Sequence, residues 1–189
     1  DRAMDRSASL VDRLRALGVD EAVAAALGGE ARLVRLRRGA PVFRGGDSAS
    51  HWLLVLSGRV KVSLVAETGR EIVLYRVTPG ESCVLTTSCL LAGKPQTAEA
   101  VVEEDAEAAL IEAGAFRRLL STSTPFRDAV LAAYADRLSD LVLVLEDTAF
   151  HAVPQRLARI LLARARDGTA QVTHQDLASE LGTAREVVT

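Results

Sequence analysis

The chain has 189 residues, with 23 Lys and Arg against 25 Asp and Glu, for a formal net charge of −2. This length allows one or two domains with a sizeable core. The charge balance excludes a surface that is basic overall, although it leaves room for a local basic face. Two Cys are too few for a disulfide framework or for the four thiolates of an iron–sulfur cluster within one chain.

These counts also bear on cellular location. With so few Cys, no run of 18 apolar residues and no signal peptide in the first ten residues, we expect a cytoplasmic protein with no membrane partner. The chain begins with Asp and stops at Thr189, and we expect that residues are missing at both ends.

Apolar residues at helical spacing predict two short helices near the N-terminus. Leu10 and Leu14 belong to the first helix, and Val23 and Leu27 belong to the second. Glycines at 18 and at 28–29 are predicted to end them.

From residue 39 onward, short apolar runs alternate with turn residues, which is typical of an antiparallel β-roll. The runs alternate in part between apolar and polar residues, as half-buried strands do. The predicted strands are His51–Leu56, Arg59–Val65, Glu71–Val77, Gln96–Val102 and Asp105–Ile111.

Helices return after the predicted strands. A short helix is predicted over Ala113–Ser121, and Ser123-Thr124-Pro125 is predicted to start a long helix that runs to about Phe150. Apolar residues in the long helix step by three and four for about three heptads, which is the pattern of a coiled-coil seam. We expect the symmetry mate to cover this seam, with a helix lying on its own roll as the alternative. The seam residues are Leu131, Tyr134, Leu138, Leu141, Leu145 and Thr148.

The end of the chain has the pattern of two short helices joined by a glycine turn. Val153-Pro154 is predicted to form a hinge before an amphipathic helix over Gln155–Arg166. Thr173 is placed to cap the first short helix, Gly182 to make the turn, and Thr183 to cap a second helix over 184–189. This pattern predicts a helix-turn-helix, with an ordinary helical hairpin as the alternative.

A helix-turn-helix reads DNA by placing its second helix in the major groove. Arg185 can donate two hydrogen bonds to a guanine edge, and Glu186 can accept one from a cytosine amine. Residues 152–189 hold five Arg against four acidic residues, so this region is slightly basic.

The order of helix, roll, long helix, Pro-containing hinge and helix-turn-helix resembles the CRP/FNR family (cyclic-AMP receptor protein/fumarate–nitrate reduction regulator). GRVKVSLVAETGREIVLYRVTPGE is similar to the family's roll hairpin, and THQDLASELGTAREVVT is similar to its helix-turn-helix. The resemblance implies a homodimeric bacterial transcription regulator that binds a near-palindromic double-stranded DNA site and contacts RNA polymerase. It implies phosphate contacts from Thr173 and Gln175 and base contacts from Arg185 and Glu186, and Thr183 completes the predicted DNA-binding set.

The expected fold is therefore α+β. It comprises an N-terminal antiparallel β-roll, cupin-like and similar to cyclic-nucleotide-binding domains, with flanking helices, a long dimerisation helix and a helix-turn-helix of the winged type. The predicted domains are a sensor over 1–124, a dimerisation helix over 125–151 and a DNA-binding domain over 152–189. The family has a further Arg after the position of Thr189 and then a β-wing, so we expect the DNA-binding domain to be incomplete.

The resemblance also implies an effector site in the roll. The family's ligand cassette begins with Gly-Glu, which Gly80-Glu81 matches, and ends with an Arg that binds a cyclic phosphate, where this chain has Gln96 followed by Thr97. An anionic phosphate in a pocket needs a fixed cation, so the replacement argues against cyclic AMP as the effector.

Cys83 and Cys89 both lie in this cassette, so thiol oxidation or modification is one hypothesis for the signal. The alternatives are that both Cys are small buried residues, or that two subunits share a metal or a cluster. A haem role for His51, a cyclic-nucleotide response and a constitutive regulator without a ligand also stay open. The predicted effector residues are Gly80, Glu81, Cys83, Cys89, Gln96 and Thr97.

No motif in the sequence predicts an enzyme. A Gly-rich phosphate loop, an HExxH helix and a nucleophile elbow are all absent from the sequence. A metal enzyme on a cupin-like roll would need clustered His and carboxylates, whereas His51 is the one His within the predicted strands. No metal site is predicted, and the cofactor is left open. A cyclic-nucleotide module that regulates another protein is a further alternative, which the helix-turn-helix pattern disfavours.

Overall fold

The computed structural model describes residues 10–66, 69–150 and 153–188, with the side chains of 146–150 outside that description. The chain divides into two compact units. The sheet unit comprises the chain up to Val62 and Tyr75–Arg137, and the C-terminal unit comprises Ser63–Leu74 and the chain from Leu138 onward. The domain boundaries after residues 124 and 151 stay predictions. No helix within the described residues is long and apolar enough to cross a membrane.

The described elements include most of the predicted helices and strands in the predicted order. They add strands over Arg32–Leu36 and Pro41–Phe43 and a helix over Val84–Ala92, which the pattern does not predict. The helices are α1 (10–16), α2 (Glu21–Glu30), α3 (Val84–Ala92), α4 (Ala113–Thr122), α5 (Thr124–Phe150), α6 (Val153–Arg164) and α7 (His174–Leu181). The strands are β1 (Arg32–Leu36), β2 (Pro41–Phe43), β3 (His51–Val65), β4 (Glu71–Val77) and β5 (Glu99–Glu112).

Helix α2 is capped by Asp20, whose Oδ1 accepts a hydrogen bond from the Ala22 backbone N–H at 2.9 Å. The helix runs through both glycines at 28–29 to Glu30, so the prediction that this pair ends it is wrong. Burial of Val23 and Leu27 against the core offsets the helical cost of glycine, about 1 kcal/mol each.

The five strands form one open antiparallel sheet with the order β1-β5-β3-β4, and β2 also pairs with β5. Strands β1 and β5 are antiparallel, with Arg32 opposite Leu110 and Leu36 opposite Ala106. The fold class is thus the predicted α+β arrangement of an antiparallel sheet with flanking helices.

Two predicted breaks in the strands are absent. Strand β3 continues through Gly58, and β5 continues through residues 103–104. Gly58 has a φ of +78°, and a Cβ there would collide with the backbone O of Asp105 and with Ala106. Glycine therefore permits a close approach of β3 to β5 instead of ending the strand.

An aromatic cluster joins the sheet to the helices. Trp52 of β3, Phe116 of α4 and Phe126 of α5 have ring centroids 5.6–6.0 Å apart, within the range of favourable aromatic pairs. The Trp52 indole N–H donates to the Thr87 Oγ1 at 3.0 Å, so its polar atom is satisfied in the core. This cluster fixes the start of α5 on the sheet unit.

Helix α5 begins as predicted, because the Ser123 Oγ accepts a hydrogen bond from the Phe126 backbone N–H at 3.3 Å. Its first turns are buried at Phe126 and Val130. The predicted seam beyond them faces solvent in the single chain. Leu131, Leu138 and Leu145 are 51–68% exposed, Tyr134 and Leu141 are half-buried, and the Thr148 side chain lies outside the described residues.

In the C-terminal unit, α6 begins at Val153 with Pro154 in its first turn. Residues 151 and 152 lie outside the described residues, and the predicted hinge at Val153-Pro154 stays a prediction. Helix α7 is capped at Thr173 as predicted.

The prediction of a second α-helix capped by Thr183 is wrong for the described residues. Ala184 is extended, and Arg185–Val187 form one 3₁₀ turn. The backbone N–H groups of Val187 and Val188 reach carbonyls three residues back, at 3.1 and 3.0 Å, instead of four.

Candidate effector cavity and nucleic-acid interface

A cavity of about 380 Å³ lies in the sheet unit, a volume within the range of small-molecule sites. It is bordered by the segment from β2 to β3, by strands β3, β4 and β5, and by the start of α3. Its lining residues include Asp47, His51, Leu53, Val60, Val77, Cys83, Thr86 and Gln96.

Gln96 is the most unusual lining residue, because its side chain is polar and the residue is only 4% exposed. Its Nε2 donates to the Thr86 Oγ1 at 3.2 Å, while its Oε1 is buried with no hydrogen-bond partner among the described residues. The Gln96 backbone is held by two 2.8 Å hydrogen bonds, to the Asp47 carbonyl and from the Gly46 N–H. The side chain thus enters the cavity wall from a fixed backbone and leaves an acceptor unsatisfied.

A chain of contacts leads from the cavity wall to α5. The Cys83 Sγ lies 3.4 Å from the Tyr75 hydroxyl, and the Arg137 guanidinium lies 4.9 Å from the centre of the Tyr75 ring, a cation–π distance. Arg137 also donates to the Glu81 carboxylate at 2.9 Å. Burial, and secondarily Cys83, raises the pKa of Tyr75 far above its ordinary value, so the hydroxyl stays neutral.

Cys89 lies in a different environment from Cys83. Its thiol donates to the Pro95 carbonyl at 3.3 Å, and burial raises its pKa. A raised pKa lowers the fraction of thiolate, which is the form that is oxidised and binds metals. Both Cys are buried free thiols, and no group of three or more His, Cys, Asp or Glu in the described part of the chain is placed to hold a metal ion.

The start of α7 carries a complete capping box. The Thr173 Oγ1 accepts from the Asp176 backbone N–H at 3.1 Å, and the Asp176 carboxylate accepts from the Thr173 N–H at 3.1 Å. This arrangement satisfies a backbone donor in the first turn and one at the cap residue.

The end of α7 is closed by Gly182 and by arginines. Gly182 has a φ of +63°, and its N–H reaches the Ala178 and Ser179 carbonyls. Arg156 donates to the Leu181 carbonyl at 2.6 Å, and Arg70 donates to the Gly182 carbonyl. Terminal carbonyls that the helix itself cannot satisfy are therefore paired with cationic donors.

Four of the five predicted DNA-binding side chains are exposed in this unit. Thr173 and Gln175 lie at the start of α7, and Arg185 and Glu186 lie in the 3₁₀ turn that follows Gly182. Thr183 is half-buried between them. A capped helix, a tight left-handed turn and a further exposed turn thus present these side chains on one short segment.

Comparisons with known proteins identify the family. The family model described as the cyclic nucleotide-binding domain matches residues 33–123. The cyclic AMP receptor protein of Thermus thermophilus is 30% identical over 154 residues, covering 80% of this chain and 70% of that protein. The chain belongs to the CRP/FNR family of transcription regulators.

A further relative and a solved structure illustrate the likeness. The CRP-like cAMP-activated global transcriptional regulator of Mycobacterium tuberculosis is 28% identical over 181 residues, covering 90% of this chain and 80% of that protein. The solved structure of the c-di-GMP responsive global regulator CLP of Xanthomonas campestris is 24% identical, with a TM-score of 0.77, and covers 89% of this chain and 88% of that chain. The latter likeness shows a shared fold.

The family model implies a cyclic nucleotide, and the cavity tests that expectation. No Lys or Arg occurs among the described residues that line it. The ionisable side chains there are Asp47, His51 and Cys83. A cyclic phosphate buried beside them would lack a fixed cation, which costs several kcal/mol for an unpaired charge. The lining residues therefore do not fit a cyclic nucleotide.

Two of the six predicted effector residues line this cavity. Cys83 and Gln96 line the cavity, and four others do not: Gly80, Glu81, Cys89 and Thr97. The Glu81 carboxylate instead accepts hydrogen bonds from the Thr78 backbone N–H and hydroxyl, both at 2.9 Å. The Glu81 carboxylate thus already accepts three hydrogen bonds from Thr78 and Arg137, and its place in the effector site stays a prediction.

Sequence reasoning missed other lining residues. Thr86 and Asp47 reach the cavity from a helix and from a loop, and no local motif marks either of them. The ten-residue separation between Thr86 and Gln96 gives no signal of their hydrogen bond, since it depends on how α3 packs on the sheet.

Proposed function

We propose that this regulator is a homodimer that binds near-palindromic double-stranded DNA and that an effector in the sheet cavity controls its DNA affinity. The observation that carries the proposal is the capped α7 followed by the Gly182 turn, with exposed Thr173 and Arg185 on either side. Contact with RNA polymerase and a cytoplasmic location belong to the same proposal.

The DNA contacts follow from the chemistry of this segment. The exposed N-terminus of α7 carries backbone donors and a positive dipole end, so it suits a phosphate beside Thr173 and Gln175. Arg185 offers two parallel donors to guanine, and Glu186 offers an acceptor to cytosine. In this assignment the α7 residues position the protein, and the residues after Gly182 read the sequence.

The dimer is supported by the exposed stretch of α5. Leu138 and Leu145 are 53% and 68% exposed. Leu131, about two turns before Leu138, is 51% exposed. Apolar side chains at heptad spacing on one long helix are covered best by the same helix of a second copy. Two copies related by a twofold axis require two half-sites about one turn of DNA, roughly 34 Å, apart.

The contacts from Cys83 to Arg137 suggest how the cavity reaches the dimer helix. An occupant that displaces the Cys83 wall would alter the Tyr75 hydroxyl contact and, through the ring, the Arg137 guanidinium on α5. A ligand that favours one of two arrangements of this path would shift the equilibrium between DNA-bound and DNA-free states.

Thiol modification at Cys83 is the second candidate signal, because Cys83 lies in the cavity wall and contacts Tyr75. Cys83 is buried, and burial raises the pKa of Cys89, so neither thiol is readily oxidised. These observations favour the first candidate signal, a non-covalent effector.

The test uses the full-length protein and a randomised duplex library. We expect selection to enrich a near-palindrome with half-sites one helical turn apart, and the affinity for it to fall as salt rises. The proposal is contradicted if selection enriches no sequence, or if the protein binds the selected duplex no more tightly than a scrambled version of it. The same titration with reduced and oxidised protein separates the candidate signals, because a thiol switch requires unequal affinities.

A further inference from the structure

We infer that the sheet cavity binds an uncharged small molecule that donates a hydrogen bond, through an amide N–H or a hydroxyl, to the Oε1 of Gln96. The inference rests on the proposed function only in treating the cavity as the effector site.

The unsatisfied acceptor is the first argument. The amide of Gln96 has one end engaged, by the 3.2 Å hydrogen bond to Thr86, and the carbonyl end faces no donor among the described residues. A buried acceptor without a partner costs about 1–3 kcal/mol. A ligand that brings a donor removes that cost, which gives the cavity a preference for donors over molecules of equal shape that lack one.

Charge is the second argument. The absence of Lys and Arg from the described lining disfavours anions. A cation is disfavoured as well, because the Asp47 carboxylate is exposed to water and already accepts the Arg44 backbone N–H at 2.8 Å. The His51 ring is engaged with the Ser50 hydroxyl at 2.8 Å. Among the described lining residues, no buried charged side chain is therefore available to pair with an ion.

Several of the other lining residues are apolar and buried. Leu53, Val60 and Val77 line the cavity and are at most 8% exposed. Burying an apolar body against them gains about 25 cal/mol per Å² of surface. The ligand is thus an apolar molecule with one donor, and the exposed residues Asp47 and Ser50 mark where the cavity meets solvent.

Four small molecules that differ in charge and in their ability to donate a hydrogen bond test the inference. Their binding to the full-length protein is measured by calorimetry or ligand-observed NMR. Benzamide is neutral and donates. Methyl benzoate has a similar shape without a donor, benzoate is an anion, and cyclic AMP is the family's ligand. We expect benzamide to bind at least about tenfold more tightly than the other three.

Gln96→Met removes the amide while it keeps the length of the side chain, and Gln155→Met is the matched control because Gln155 is exposed on α6. We expect Gln96→Met to abolish the preference for benzamide over methyl benzoate and Gln155→Met to retain it. Circular dichroism establishes that each variant is folded.

Two results would overturn the inference: benzoate or cyclic AMP binding as tightly as benzamide, or a benzamide affinity that Gln96→Met leaves unchanged. Absence of benzamide binding at about 10 mM, where even weak fragments of this size bind open apolar sites, would overturn it too. DNA retention is measured on the same preparations. If the unaltered protein shows no preference for benzamide but binds DNA, the ligand class alone is refuted. If the unaltered protein does not bind DNA, the proposed function is refuted.

Discussion

The sheet unit and the C-terminal unit are stabilised in different ways. The sheet unit buries an extensive apolar core around Trp52, Phe116 and Phe126. In the C-terminal unit no residue of α6, all of which is described, is buried, and α7 buries just one face, at Leu177, Ala178, Ser179 and Leu181. Hydrogen bonds from Arg side chains to helix-end carbonyls supplement this small core.

This difference matches the roles that we propose. A large core limits the cavity walls to discrete arrangements, because close-packed interiors are not continuously deformable. A small core held by individual hydrogen bonds has a low cost of local rearrangement, which suits a module whose presentation to DNA must change.

The largest loss of stability is expected from a substitution at the contact between strands β3 and β5. Gly58→Ala places a Cβ against the Asp105 carbonyl and Ala106 at a φ of +78°. We expect a loss of at least about 3 kcal/mol in the free energy of unfolding of the sheet unit, measured by urea denaturation. Gly45→Ala is the control, since no atom lies within 4 Å of its Cβ position. Equal midpoints for the two variants would refute the close approach of β3 and β5.

The next effect concerns the exposed stretch of α5, which belongs to the C-terminal unit at Leu138 and Leu145. Replacing both with Glu buries charges in the proposed dimer, so we expect the mass by light scattering to halve and the DNA affinity to fall at least about 100-fold. Leu162→Glu on α6 is the matched control, because Leu162 is 77% exposed outside the seam. A double variant that stays dimeric would contradict the assignment of the seam.

A smaller loss of DNA affinity is expected when a base-contacting side chain of the C-terminal unit is removed. Arg185→Ala removes the proposed guanine contact, which is worth about 1–3 kcal/mol, or roughly 5- to 150-fold in affinity for the selected site. Arg37→Ala, an exposed change in the sheet unit, should leave the affinity within about twofold. The assignment fails if Arg185→Ala weakens selected and scrambled duplexes equally, measured by fluorescence anisotropy.

The cap of α7 tests how far the C-terminal unit depends on single hydrogen bonds. Thr173→Ala removes the acceptor for the Asp176 N–H, and we expect a loss of about 1 kcal/mol in local stability. Hydrogen exchange at the α7 amides measures this loss, and Thr173→Ser keeps the acceptor. Unchanged protection in Thr173→Ala would mean that packing alone holds the helix.

The smallest effect is a pH dependence of the sheet unit. Burial acts to raise the pKa of Glu103, but hydrogen bonds from Arg76 at 2.7 and 2.9 Å hold it below its ordinary value. A lowered pKa adds stability that is present above the ordinary pKa and is lost as the pH falls through the lowered one.

Glu103→Gln removes that contribution. We therefore expect it to flatten the acid limb of the stability curve by under about 1 kcal/mol between pH 6 and pH 3, in urea denaturation at several pH values. Glu99→Gln, also on β5, serves as the control. An acid limb that is the same in Glu103→Gln and in the unaltered protein would contradict the role of the Arg76 pair.

Local patterns predicted the elements whose causes are local. The caps at Ser123 and Thr173 and the turn at Gly182 each depend on one side chain and its nearest backbone. The long helix was predicted from its apolar spacing, and so was the order of strands and helices that carries the family resemblance.

Tertiary contacts decided the rest. Glycine is a common turn residue, yet Gly58 lies within strand β3, which pairs with β5. The sheet hydrogen bonds and the close approach of β3 to β5 outweigh the local preference of glycine for a turn. Gln96, Thr86 and Asp47 became one cavity wall through the packing of separate elements, which no spacing along the chain encodes.

The sequence by itself determined the fold class, the family and the departure at Gln96 from a cation-bearing pocket. The tertiary structure decided which predicted effector residues meet. In the structure the Glu81 carboxylate accepts hydrogen bonds from Thr78 and Arg137, and the Gln96 Oε1 has no donor among the described residues. The physical reason is that hydrogen-bond satisfaction depends on distances between elements far apart in the chain, whereas caps and periodicity depend on neighbours.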